Sequence, residues 1–199
     1  MIKTLRTLAA AVSILGIASV AQAACDPDKD GNDLTFEEAQ KIYDCIAADL
    51  HAGYMTGDKK WIPSEYVADY RNWTSANTLP ANPGFHGGRF LLTWVNEVGA
   101  EEYLKYKDED VNIPAGTIIA KESFAVSEAG KVQPGPLFIM EKVAAGVSPE
   151  TDDWYYMMVA ASGVPQAVPV ITACSECHQG NFGFRGGLGY PDEEVRIGQ

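Results

Sequence analysis

The fold class is decided by one stretch of the chain, Thr117-Ile-Ile-Ala-Lys-Glu-Ser-Phe-Ala-Val126. β-Branched and aromatic side chains dominate it, which is typical of a β-strand, and Pro114 and Gly116 precede it as a strand boundary. Side chains on a strand alternate between its two faces. The alternation predicts that Glu122 lies among apolar side chains on one face, and that Lys121 lies on the opposite, mixed face.

Three further stretches share this composition and are bounded by glycine and proline. They are Arg89–Asn96, Leu137–Val143 and Trp154–Ala160. Apolar residues recur at helical spacing over Leu34–Tyr54, and Ala100–Lys107 has the pattern of a short helix. The predicted fold class is therefore α+β, mainly an antiparallel β-sheet with a few helices, one of them N-terminal.

Residues 1–23 have the pattern of a signal peptide. Lys3 and Arg6 precede a short apolar run, and Ala21-Gln22-Ala23 matches a cleavage site. The run is too short to span a membrane, and no second run of spanning length follows. The pattern predicts export to the periplasm. Lipidation at Cys25 is a weaker alternative, because Gln22 stands where that signal requires leucine.

The charge composition limits which classes of partner the protein can bind. The chain has 15 Lys and Arg against 27 Asp and Glu, a formal net charge of −12. Such a charge repels a phosphate backbone, which argues against nucleic acid as a partner. It is compatible with a basic periplasmic redox partner.

Close to the C-terminus lies Cys174-Ser-Glu-Cys177-His178, a C-x-x-C-H motif that is the signature of covalent c-type haem attachment. Each thiol can add to one vinyl group of a haem, and His178 can then bind the iron. A redox pair and half of a zinc site remain alternatives for the two cysteines. The motif predicts one haem c on a C-terminal haem-attachment segment.

A second axial ligand would have to come from upstream, because neither Met nor His follows His178. The candidates are His51, His86, Met55, Met140, Met157 and Met158. An open or water-bound position is the first expectation, and it suits ligand chemistry. Arg89 and Arg185 are candidates to bind the haem propionates, since guanidinium groups pair with carboxylates.

Two cysteines remain outside this motif, Cys25 and Cys45. In an oxidising compartment they are expected to form a disulfide, with free thiols as the alternative. It would close a loop of about 20 residues and stabilise the fold by about 3 kcal/mol in the chain-entropy model.

The acidic segment after residue 24 resembles an EF-hand loop for calcium. Its possible ligands are Asp26, Asp28, Asp30 and, after an insertion, Glu38. Gly31 suits the sharp turn, but Asp33 occupies a position that should be apolar. The alternative is an acidic turn in which Asp33 or Thr35 caps the next helix.

Several short stretches occur in the order found in one protein family. They are Tyr70-Arg-Asn-Trp73, His86-Gly-Gly-Arg89, Pro114-Ala-Gly-Thr-Ile-Ile-Ala-Lys121-Glu122, Phe138-Ile-Met-Glu-Lys142, Asp153-Trp-Tyr-Tyr156 and the late C-x-x-C-H. With them the chain resembles the cytochrome P-460 family, which includes cytochrome c′-beta. The resemblance covers roughly residues 64–180. Together with the signal-peptide pattern, it predicts a signal peptide (1–23), an acidic EF-hand-like loop and helix outside the resemblance (24–60) and a cytochrome P-460-like haem c domain (61–199).

The resemblance implies a mainly β fold with one haem c, His178 as its proximal ligand and an open distal side. In hydroxylamine-oxidising members a lysine is bonded to a haem meso carbon, and Lys121 matches that position. Arg89 matches an arginine near the haem, and Glu141 is the nearest match to a distal carboxylate. Members are often dimeric, so a homodimer is one assembly that the resemblance implies.

Each of these residues also has a simpler explanation. Lys121 can be a solvated strand lysine, Glu122 can pair with a cation on a neighbouring strand, and Glu141 can pair with Arg89 or a lysine. A buried glutamate can otherwise act as a catalytic acid or base.

Three functions follow as hypotheses. The first is oxidation of hydroxylamine or a related nitrogen oxide, with Lys121, Glu141, Glu122 and Arg89 as catalytic candidates. The second is binding of nitric oxide or carbon monoxide without catalysis, as in cytochrome c′-beta. The third is electron transfer by a six-coordinate haem.

Overall fold

Strand β3 (Ile118–Val126) lies in the middle of a six-stranded antiparallel sheet in the computed structural model, which describes residues 25–198. The other strands are β1 (Thr74–Ser75), β2 (Phe90–Val95), β4 (Val132–Pro134), β5 (Leu137–Lys142) and β6 (Trp154–Val159). Their order is β1-β2-β3-β5-β6, and β4 pairs with the far end of β3. The predicted α+β class with an antiparallel sheet is confirmed, and the predicted signal peptide lies outside the described residues.

The register of β3 confirms the predicted alternation of its side chains. Glu122 lies opposite Leu92 of β2, and its face carries the larger hydrophobic cluster of the protein. Lys121 lies between Thr93 of β2 and Phe138 of β5 on the other face. Two neighbouring residues are therefore on opposite sides of the sheet.

Helix α1 (Phe36–Met55) covers the Glu122 face of the sheet. Thr35 begins it with a capping box, in which the Thr35 hydroxyl accepts the Glu38 N–H and the Glu38 carboxylate accepts the Thr35 N–H. One stripe of the helix is buried, as the spacing predicted: Ala39, Ile42, Tyr43, Ile46, Leu50 and Tyr54. The predicted Cys25–Cys45 disulfide is present and joins the N-terminal segment to this helix.

Four shorter helices follow: α2 (Ser64–Asp69), α3 (Phe85–Gly88), α4 (Glu97–Tyr103) and α5 (Glu176–Phe182). Helix α4 starts earlier than predicted because the Asn96 side chain accepts the Gly99 N–H and caps it. Helix α5 continues the π-helical turn Val170–Ser175, and these two elements, residues 170–182, form the C-terminal segment that lies over the Lys121 face. Within residues 25–198, no helix has both the length and the apolar character needed to cross a membrane.

Candidate functional site

A cavity of about 580 Å³ lies between the Lys121 face of the sheet and the C-terminal segment. Its floor consists of two rows of side chains that run across the strands, and the strand register shows which residues pair in each row. Lys121 pairs with Phe138 and Phe138 with Met158, while Ile119 pairs with Met140 and Met140 with Tyr156. The volume is within the usual range of small-molecule and cofactor sites, about 300–1,000 Å³.

The C-x-x-C-H motif forms one wall of this cavity. Cys174 lies in the π-helical turn and Cys177 lies in α5, and both residues line the same space without a disulfide between them. Burial raises the pKa of the Cys174 thiol. Both cysteines, and the His that follows, therefore line one cavity of cofactor size.

His178 is held in a single orientation. Its Nδ1–H donates to the carbonyl oxygen of Gly187 at 2.7 Å, so Nε2 carries the lone pair. Nε2 has no hydrogen-bond partner in the part of the chain that the structure describes. Burial, and then the charge of Lys121, lowers the pKa of His178 to about 4, which keeps the imidazole neutral. A neutral imidazole with a backbone-oriented ring is the usual form of a metal-binding histidine. These residues fit haem c.

Lys121 lies at the floor of the cavity with only 7% of its surface exposed. Its Nζ donates to the carbonyl oxygen of Gly189 at 2.9 Å. Burial, and then the charge of Arg185, lowers the pKa of Lys121 to about 8. The alternative that Lys121 is a solvated strand lysine is wrong, because the side chain is buried. Its pKa of about 8 means that the amine in this cavity loses its proton more readily than an ordinary lysine does.

The two arginine candidates differ in their surroundings. Arg89 lines the main cavity, and its buried Nη1 has no hydrogen-bond partner among the described residues. Arg185 instead lines a smaller cavity of about 240 Å³, donates to Asp108 at 2.9 Å through Nη1 and packs against the ring of Tyr190, although its buried Nε also has no partner among the described residues. Arg89 therefore has free capacity for an anionic group of a ligand in the main cavity.

Neither carboxylate candidate reaches the cavity. Glu122 is fully buried on the opposite face, where Arg71 donates to it through Nε at 3.0 Å and Tyr70 donates at 2.8 Å. Glu141 lies opposite Ile118, on the α1 side of the sheet. The cation beside Glu122 comes from a 3-10 turn and not from a neighbouring strand, and sequence reasoning missed Arg71 for that reason.

Three of the four calcium candidates have separate partners, and the fourth is exposed. Asp26 accepts the Val132 N–H at 2.8 Å and the Lys131 amine at 3.0 Å, whereas Glu38 pairs with Lys29. Asp30 caps the 3-10 turn Gly31–Asp33, and Asp28 is exposed. Across residues 25–198, no group of three or more His, Cys, Asp or Glu side chains is arranged to hold a metal ion. Thr35, one of the two predicted caps, begins the helix.

His86 is the one histidine candidate that the structure brings to the cavity with His178. Burial, then the charge of Lys121 and then that of His178, lowers the pKa of His86 to about 3, so its ring is neutral. Of the methionine candidates, Met140, Met157 and Met158 line the cavity, while Met55 is exposed in α1. Phe138 and Tyr156 also line the cavity, but they were not singled out from the sequence. The alternation of side chains along their strands is the signal that could have assigned them to the cavity face.

No protein-family model matches this chain, and no curated protein matches it. The class of protein is therefore defined by its own fold and site: an α+β protein whose antiparallel sheet and C-terminal C-x-x-C-H segment enclose one cofactor-sized cavity.

Proposed function

We propose that this chain is a periplasmic mono-haem c-type cytochrome of the cytochrome P-460 type that binds a small nitrogenous ligand or gas. The observation that carries the proposal is the convergence of Cys174, Cys177 and the free Nε2 side of His178 on one cavity. Haem bound there would supply an iron able to take a small ligand and to exchange electrons. The Cys25–Cys45 disulfide supports an oxidising compartment.

The Gly187 carbonyl orients the proximal ligand. Gly187 has a φ of +79°, and a Cβ there would lie 2.8 Å from the Gln179 side chain. Glycine therefore suits the turn that presents this carbonyl to His178. A hydrogen bond from the far ring nitrogen fixes the ring and raises its basicity toward a metal.

Arg89 supplies the charge that a haem needs near its carboxylates. Its Nη1 is buried and unpaired in the described chain, and leaving such a donor unsatisfied costs free energy. A propionate, or an anionic nitrogen oxide in the cavity, would satisfy it.

Lys121 supports the oxidising form of this function. An amine acts as a nucleophile only when it has lost its proton, and burial at the cavity floor favours that loss. A bond from Nζ to a haem edge replaces an N–H and a C–H hydrogen, so an oxidant such as peroxide must take up two electrons and two protons. Substrate electrons would then pass to a periplasmic redox partner protein.

A second candidate is gas binding without catalysis, as in cytochrome c′-beta. Within residues 25–198, no carboxylate lines the cavity to remove protons from a bound substrate. The lining is mainly apolar, with Phe85, Phe138, Met140 and Met158 among its side chains. Such a lining suits a neutral diatomic ligand.

Proteolysis of the purified holoprotein separates the two candidates. If the oxidising form is correct, mass spectrometry finds the Lys121 peptide joined to the Cys174–His178 haem peptide, and Lys121→Arg separates them and changes the absorption spectrum. Lys105→Arg, at an exposed lysine, is the matched control. Separate peptides in the wild type favour gas binding. A chain without covalent haem would reject both.

A further inference from the structure

His86 adopts an unusual backbone conformation beside the cavity. It lies in α3 with a φ of +57°, followed by Gly87 at +74° and Gly88 at +69°. Non-glycine residues rarely adopt positive φ, and such a conformation often marks a functional site. The turn directs the imidazole into the cavity, where its ring centre lies 4.5 Å from that of Phe138.

The imidazole of His86 lacks the partner that a buried polar group normally has. Its Nδ1 is buried without a hydrogen bond in the described chain. Its ring centre lies 6.1 Å from that of His178, yet no hydrogen bond joins the two rings. Both imidazoles line one cavity, and each has a ring nitrogen without a hydrogen-bond partner among the described residues, Nε2 of His178 and Nδ1 of His86.

We propose that His86 is the second axial ligand of the haem iron in the ligand-free protein, on the side opposite His178. This inference rests on the proposed function and adds the distal ligand to it. A small ligand then binds by displacing His86.

The separation of the two rings favours direct ligation over a more distant role. Imidazoles that bind one ion from opposite sides have ring centres roughly 6 Å apart, because each metal–nitrogen bond is about 2 Å long. A small ligand placed between the iron and a hydrogen-bonding histidine would add a contact of about 3 Å. The observed 6.1 Å matches the first arrangement.

The glycines around His86 provide a way for it to leave. Gly84, Gly87 and Gly88 each have open space where a Cβ would lie, with no atom within 4 Å. The chain on both sides of His86 therefore has no close neighbours at these glycines, and glycine itself tolerates a wide range of dihedral angles. Displacement of the imidazole requires movement of this turn and not of the sheet.

The test begins with the mass of the purified wild-type chain. A mass without haem rejects the proposed function itself. If haem is attached, the ferric wild type is expected to show a six-coordinate low-spin absorption and electron paramagnetic resonance spectrum, and the ferrous form to bind carbon monoxide.

Two variants then test His86 itself. His86→Asn and His86→Gly, both compatible with positive φ, are expected to become high-spin. Added imidazole is expected to restore the low-spin spectrum of His86→Gly. The apparent affinity for carbon monoxide is proportional to the fraction of protein whose iron is not bound by His86. Loss of His86 should therefore raise the carbon monoxide affinity by about tenfold or more.

His51→Asn is the matched control, because His51 lies against Tyr70 in a different part of the fold. It is expected to keep the low-spin spectrum and the carbon monoxide affinity of the wild type. A high-spin wild type that carries haem, or a low-spin His86→Asn variant, would overturn the assignment of His86 while leaving haem binding intact.

Discussion

Lys121 and Glu122 are neighbours in sequence but lie in separate environments at the residue scale. The two-residue period of β3 sends the amine to the cavity and the carboxylate to the core beneath α1. Each is buried with a different kind of partner, a backbone carbonyl for Lys121 and the Arg71 guanidinium for Glu122. The lysine thereby lies in the cavity, and the glutamate lies in a buried ion pair away from it.

The structural role of Glu122 can be tested with Arg71→Ala. The change leaves a fully buried carboxylate without its cation, and loss of one member of a buried pair typically costs about 3–5 kcal/mol. Urea unfolding should show a fall of about 3 kcal/mol in the free energy of unfolding, with haem attachment retained. Lys105→Ala, at an exposed pair, should cost less than about 1 kcal/mol. Similar losses in both variants would contradict the assignment.

At the scale of elements, the N-terminal segment is fastened to the sheet as well as to α1. Asp26 accepts the backbone N–H of Val132 in β4 and pairs with Lys131. The carboxylate that resembles the first ligand of a calcium loop therefore connects this segment to a strand.

This contact predicts a dependence of stability on pH. The hydrogen bond from Val132, and then the contact with Lys131, lowers the pKa of Asp26 below its ordinary value of 3.8. A depressed carboxyl pKa contributes stability above the unfolded-state value, and that stability is lost as pH falls through the folded-state pKa. Asp26→Asn should therefore lower Tm at about pH 7, and the difference from wild type should shrink below about pH 3.

The exposed Asp28 supplies the control for this measurement. Asp28→Asn is expected to leave Tm at neutral pH unchanged. A Tm difference for Asp26→Asn that stays constant through acid pH would show that its cause is not the charge of the carboxylate.

At the scale of the whole molecule, the sheet separates two layers with different roles. Helix α1 seals one face with the larger hydrophobic cluster, whereas the C-terminal segment leaves a cavity on the other face. The Cys25–Cys45 disulfide lies on the sealed side and the C-x-x-C-H motif on the cavity side. We therefore expect that stability and the proposed cofactor binding can be varied separately.

Removal of the disulfide tests this separation. The double variant Cys25→Ser, Cys45→Ser should lose about 3 kcal/mol of unfolding free energy, because the unfolded chain regains the entropy of a closed loop. Denaturant unfolding measures the loss, and the haem spectrum should match that of the wild type. A loss below about 1 kcal/mol would mean that packing of α1 and the contacts of Asp26 hold the segment without the disulfide.

Short-range patterns in the sequence predicted the strand faces, the buried stripe of α1 and the cysteine pair that remains outside the C-x-x-C-H motif. These features depend on residues two to four positions apart, or on counting cysteines, and neighbours in the chain determine them. The start of α4 was missed because a single side chain, Asn96, caps it.

Which side chains meet in space was decided only by the tertiary structure. It placed Arg71 beside Glu122, kept Glu141 out of the cavity and brought His86 to within 6.1 Å of His178, ring centre to ring centre. The physical reason is that these pairs are separated by many residues, and their distances depend on sheet register and on how the C-terminal segment packs. Sequence periodicity reports the face on which a residue lies, whereas only the packed chain determines what that face encounters.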